Sequence, residues 1–247
     1  MDLSKEFFQL LWQRYTALRV DPGSRLTNRY DDTNGRNAFI IISAEAGLSG
    51  DIDERLIETM MRDYDAKTTD IIVLGTHGAT QLTQLGITFT RYFKVPTTDR
   101  YIDVSPVVSA LQGYSRMVVY YEEYVSLGVQ DIKTMDLIAA LKDMSEDASE
   151  DTMTADDTIF EPSLEEIAAE MEQSMMSLAL SQAILESGLA QAASRFNAMA
   201  VAKKRSTELL SGYTLEFHRA KRSESDRRLR EVLISLKEKR KRTGARR

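Results

Sequence analysis

Few residues in this sequence are of a kind that catalyses reactions, and their spacing limits what each could do. There is no cysteine, and the histidines are His77 and His218. Cysteine nucleophiles, thiolate-built zinc sites and iron–sulfur sites are thereby excluded. His77 stands in Gly75-Thr76-His77-Gly78, where an imidazole could act as a general base. A base needs a nucleophile and an orienting acid, and no neighbouring motif supplies either, so a surface or turn histidine is expected. His218 lies among Arg219, Lys221 and Arg222, as on a solvated helix face. Gly47-Leu48-Ser49-Gly50 follows an apolar run at the place of a phosphate-binding loop. It matches neither G-x-G-x-x-G nor G-x-x-x-x-G-K-[ST], and Asp51 and Asp53 behind it would repel an anion, which leaves a tight turn. Glu122-Glu123 and Asp156-Asp157 are adjacent pairs, and on a strand adjacent side chains point to opposite faces. The residues therefore assign no catalytic, cofactor or metal site, which counts against an enzyme.

The elements around these residues fall into two unlike architectures. Over residues 37–135, Ala38-Phe39-Ile40-Ile41-Ile42 and Ile71-Ile72-Val73-Leu74 are continuous apolar runs, as in strands covered on both faces. Ile52, Leu56, Ile57, Met60 and Met61 recur between them at helical spacing. Strand, helix, strand predicts a right-handed parallel crossover. Thr88–Val95, stopped by Pro96, reads as a third strand and Met117–Val125 as a fourth, with a helix through Val107, Val108 and Leu111 between. The fold class is α/β, a small Rossmann-like domain of about four or five strands.

After Pro162 no proline occurs to the end of the sequence, which predicts one very long helix over 162–240. Glu161-Pro162-Ser163 followed by Glu165 and Glu166 marks its start. Alternating steps of four and three from Met171 to Ala220 give 15 positions, of which 12 are apolar. Such a heptad predicts a coiled-coil seam roughly 75 Å long at about 1.5 Å per residue. The spacing of Phe7, Phe8, Leu11, Trp12, Tyr15 and Leu18 predicts an amphipathic helix over residues 1–20, spanning only roughly 27 Å. Most of the seam thus lacks a partner within the chain, and another subunit is expected to cover it.

The formal net charge of -6 conceals a polarity along the chain. Asp143–Glu172 carries 12 acidic and no basic residues, within and beyond an acidic linker at 136–161. Arg219–Arg247 carries 13 basic and 4 acidic residues, ending in a basic tail at 241–247. Solvated surface is the plain explanation of such runs; the sharper one is a basic end lying against an acidic partner. Nucleic acid is not the expected partner, because the basic residues lack interleaved aromatics and any readout motif. The N-terminus does not read as a signal peptide, which points to the cell interior. Gln173–Leu185, the longest charge-free stretch of the C-terminal half, is too short to cross a bilayer.

The strand and turn Ile41-Ile42-Ser43-Ala44-Glu45-Ala46-Gly47-Leu48-Ser49-Gly50-Asp51, with a small α/β domain and a long C-terminal helix, resemble the gamma subunit of rotary ATP synthases. The resemblance is most specific at Leu185-Glu186-Ser187, Ala193-Ser194-Arg195-Phe196-Asn197-Ala198-Met199, Glu208-Leu209-Leu210, Tyr213-Thr214-Leu215-Glu216-Phe217 and Leu229-Arg230-Glu231-Val232. It implies a non-catalytic rotor shaft turning within alpha and beta subunits, in contact with epsilon and a membrane ion-translocating ring. It places the protein peripherally at the cytoplasmic face of the cell membrane, coupling proton or sodium flow to ATP synthesis without a cofactor. It also implies partner contacts at Lys221, Arg222, Arg195, Met199 and Glu231. Family members begin with a long basic helix, of which residues 1–20 match only the end. The family's arginine-glutamine pair corresponds to Lys221-Arg222, and its upstream asparagine to His218. Lysine keeps the charge but loses bidentate geometry. The alternative function is a gamma-like homo-oligomeric coiled-coil scaffold outside any synthase.

Overall fold

A computed structural model of the protein describes residues 35–95, 102–137, 139 and 164–244. The expected N-terminal helix at 1–20, most of the acidic linker and the end of the basic tail lie outside the described residues. Strand β1 (Asn37–Ile42) leads into helix α1 (Ile52–Asp63), then β2 (Thr69–Leu74), α2 (Thr76–Gln84), β3 (Arg91–Phe93), α3 (Ser105–Leu111), β4 (Arg116–Tyr124) and β5 (Gln130–Asp136). The last element, α4, runs from Leu164 to Gly244.

The strands form one sheet in the order β3-β2-β1-β4-β5. β1 pairs in parallel with both β2 and β4, Ile40 lying opposite Ile72 and Val119. β3 is parallel to β2, and β5 closes the other edge antiparallel to β4. The central strands are apolar on consecutive residues because both faces are covered. Phe39, Ile41, Ile71, Val73 and Tyr120 pack against α1 and Leu82 of α2. Ala38, Ile40, Ile42, Ile72 and Val119 pack on the opposite face against α3 and the first part of α4. Burial of these branched side chains is the principal driving force for the fold.

Three expectations change. α2 occupies residues for which the sequence predicts no element beyond a surface or turn position at His77; its segment THGATQLTQ buries only Gly78 and Leu82, too few to give a helical period. The third strand is confined to Arg91–Phe93, an edge strand held to β2 over three residue pairs. The first part of α4 packs on the sheet: Met176, Leu180, Ala183, Ser187, Ala190 and Ser194 are buried on a face offset from the predicted heptad. The chain divides into two compact units, residues 1–198 and 199–247. The sheet and the sheet-packing part of α4 belong to the first.

Candidate interaction surface

In a sheet whose strand order reverses, as here between β1 and β4, ligands bind beyond the carboxyl ends of the strands. The segment after β1 and the start of α2 meet at this edge. The Ser43 hydroxyl donates to Leu74 O at 2.9 Å and accepts from Gly78 N at 3.0 Å. Gly75, at a φ of +104°, and Gly78 are required by that contact, since a Cβ at either would collide with Ser43. His77 N donates to Ala44 O at 2.9 Å, docking the first turn of α2 on the segment after β1.

Asp53, in the first turn of α1, is fully buried and ties this edge together. Its Oδ1 accepts from Ala44 N at 2.9 Å. Its Oδ2 accepts from Ser49 Oγ at 2.6 Å and lies 2.8 Å from His77 Nδ1. His77 is thus a packed residue paired to an acid 24 positions away, not the unpaired turn histidine the sequence suggests. The trio is not a nucleophile relay. In such a relay the serine bonds the histidine and the histidine bonds the acid, whereas Ser49 and His77 both address one oxygen of Asp53, and Ser49 is buried. Among the described residues no group of three acidic or histidine side chains is placed to hold a metal ion.

The crevice is filled by the protein's own long helix. Ser187 Oγ donates to Glu122 Oε2 at 2.8 Å, and Gln191 Nε2 donates to Ser187 Oγ at 3.0 Å. Ser194 Oγ donates to Ser49 O at 2.5 Å, so the would-be phosphate loop receives a serine of α4 where a ligand would lie. Arg195 Nη2 donates to Ala46 O at 3.3 Å, and Asn197 Nδ2 to Leu127 O at 2.5 Å. Glu122 is buried while its neighbour Glu123 pairs with Lys133, as alternation on a strand requires. Burial pushes the Glu122 carboxyl up to about 8, with the charge of Asp53 adding to the shift and hydrogen bonds from Ser187 and Gln191 opposing it.

From Met199 onward α4 presents a different chemistry. Every described side chain from Met199 to Glu238 is exposed. Among them are Leu210, Tyr213, Phe217, Leu233 and Ile234. Lys221, Arg222 and Glu231 stand on this exposed stretch, Glu231 Oε1 lying 3.3 Å from Arg227 Nε. Met199 is half-exposed, while Arg195 is engaged with the segment after β1. An apolar stripe this long on one helix marks an interaction surface. Among the described residues no helix is long and apolar enough to cross a membrane.

A sequence model described as ATP synthase matches residues 3–235. The chain is 25% identical over 213 residues to the ATP synthase gamma chain of Cytophaga hutchinsonii, covering 80% of this chain and 72% of that one. The Staphylococcus aureus ATP synthase gamma chain is 26% identical over 211 residues, with the same two coverages. Among solved structures, a chain of the Euglena gracilis mitochondrial ATP synthase OSCP/F1/c-ring assembly superposes with a TM-score of 0.65 at 13% identity. That superposition covers 95% of this chain and 90% of the Euglena chain. A chain of the Tetrahymena thermophila mitochondrial ATP synthase central stalk and c-ring superposes with a TM-score of 0.56 at 16% identity, over 81% of this chain and 99% of that one.

Proposed function

The chain belongs to the gamma-subunit family of ATP synthase, and from that premise we propose that it is the rotor shaft of a proton- or sodium-translocating synthase. In this role the exposed part of α4 lies within a head of alpha and beta subunits, and the α/β domain sits at the foot beside epsilon and the membrane ring. The protein itself catalyses nothing; turning of the shaft sets nucleotide exchange on the beta subunits. It is peripheral, at the cytoplasmic face of the cell membrane. Arg195, Met199, Lys221, Arg222 and Glu231 are the proposed partner contacts.

The observation that carries this reading is the exposed face from Met199 to Leu236, continuous with a helix that Ser187 and Ser194 fasten to the sheet. A shaft needs both properties: a grip at one end and a surface for partners at the other. Affinity purification of the full chain from native membranes is expected to recover alpha and beta subunits. Recovery of the chain alone, or only with copies of itself, would overturn the proposal and favour a homo-oligomeric scaffold.

A further inference from the structure

The grip of the sheet on α4 contains an electrostatic anomaly. Asp53 and Glu122, from α1 and β4, are both fully buried at the carboxyl edge. Asp53 is the neighbouring charge that acts on Glu122. Among the described residues no lysine or arginine pairs with either carboxyl. Two ionised carboxylates side by side in an apolar interior repel each other and each forfeits its hydration. The hydrogen bonds indicate which one gives way. Both oxygens of Asp53 are engaged: Oδ1 accepts from Ala44 N, and Oδ2 accepts from Ser49 Oγ and lies 2.8 Å from His77 Nδ1. Glu122 has Ser187 Oγ on Oε2, while its buried Oε1 meets no donor. An oxygen with no donor is satisfied if it carries a proton itself, and Asp53 is the neighbouring acid that raises the affinity of Glu122 for that proton.

We propose that Asp53 and Glu122 form a proton-binding site, that the proton resides on Glu122 Oε1 facing Asp53, and that this proton latches Ser187 and the surrounding turn of α4 to the sheet. Loss of the proton leaves two adjacent buried charges. Glu122 can then lower its energy only by turning toward water, which removes the acceptor of Ser187 and loosens α4 around residues 183–194. Among the described residues the other groups near Glu122 supply no compensating charge. From α4, Ser187 and Gln191 are neutral, and Glu186 acts on Tyr121. From β5, Ile132 lies opposite Glu122, with Asp131 near Arg55 and Lys133 bound to Glu123 on either side. From β1, Ile42 contributes its carbonyl to Ser187. From α2, His77 reaches the site through Asp53.

The sign follows from the raised affinity of Glu122 for its proton. The folded group holds the proton up to about pH 8 and the opened one releases it near 4.5. The latch is therefore complete below pH 4.5 and is lost as the pH rises through about 8. Hydrogen exchange of the full chain tests it, reading peptides across 183–194 against β1 peptides, with intrinsic rates corrected for pH. Between pH 6 and 8 opening of 183–194 is expected to rise by up to about tenfold per pH unit and then level off. Glu122→Gln, which mimics the protonated acid, is expected to abolish that rise and to protect the segment at pH 9. A wild type without the rise, or a Glu122→Gln variant that keeps it, would overturn the proposal. Asp53→Asn provides a second arm, independent of whether Glu122→Gln folds. Removing the neighbouring charge is expected to move the midpoint of the rise to lower pH, and an unmoved midpoint would also overturn it.

Discussion

The two stretches of α4 are chemically opposite although one helix contains both. Across 175–194 the residues facing the sheet are small or apolar, with Leu180, Ala183, Ala190 and Met175 almost wholly out of solvent. Across 199–236 residues of equal or greater hydrophobicity stay exposed, Leu210 at 67% and Phe217 at 62%. Hydrophobicity alone does not separate the two stretches; the packed one sets Ala183, Ser187, Ala190 and Ser194 on one face beside the larger Met176, Leu180 and Ile184. Alanine and serine let a helix backbone approach a sheet edge closely, and Ser187 and Ser194 use that approach to reach Glu122 and Ser49 O. Leucine, tyrosine and phenylalanine project from a helix and suit a surface that another protein covers.

The contrast is broken most severely by emptying the packed stretch. Leu180→Ala removes a side chain with no exposure, and a loss of about 2–5 kcal/mol of stability is expected. Leu210→Ala, the same change on the exposed stretch, should alter the stability of the isolated chain by no more than about 0.5 kcal/mol. Chemical denaturation of the two variants measures the difference; equal losses would mean that Leu210 is packed in the free protein. In affinity purification the order should reverse, with Leu210→Ala reducing recovery of alpha and beta subunits more than its stability explains.

A smaller effect is expected at the junction of β1 and α2. Gly78→Ala places a methyl group against the Ser43 hydroxyl and costs the hydrogen bond from Gly78 N unless Ser43 moves. Overpacking of this kind typically destabilises by about 1–3 kcal/mol. Pairing it with Ser43→Ala, which removes the obstructing oxygen, should recover part of the loss in a double-mutant cycle. No recovery would place the strain elsewhere.

Much of the sheet was legible from sequence because β1 and β2 are unbroken branched runs, and α1 repeats its apolar residues at helical spacing. α4 was legible from the lack of proline and from its heptad. The grip between them was not. Its polar members, Asp53, Glu122, Ser187 and Ser194, lie far apart in sequence, and only the closing of parallel strands brings them together. Search for a hydrophobic period passes over serine and alanine, so the offset buried face of α4 stayed hidden behind the larger seam residues. One signal was available: Glu122 is in phase with Val118 and Tyr120, both on a covered face of β4. An acid at a position that alternation assigns to the interior demands a proton, a partner or a function. His77 gave no comparable signal, since nothing in the spacing of Asp53 and His77 marks them as a pair.

The smallest effect concerns the charges of the exposed stretch, where the proposed role depends wholly on partners. Lys221 and Arg222 lie one turn beyond Phe217, within a segment of 13 basic and 4 acidic residues. Both are fully on the surface of the free chain, where a charge pair is worth little and salt screens it. Lys221→Glu with Arg222→Glu should therefore leave thermal unfolding of the isolated protein unchanged. If the stretch lies inside a sleeve of alpha and beta subunits, as proposed, water is partly displaced there and each lost contact costs about 1 kcal/mol. Two such contacts would slow, without abolishing, ATP-driven ion pumping in membranes carrying the double reversal, while ATP hydrolysis continues. Pumping and hydrolysis that stay coupled at the wild-type ratio would remove Lys221 and Arg222 from the contact surface. The apolar residues of the same stretch would then carry the interaction alone.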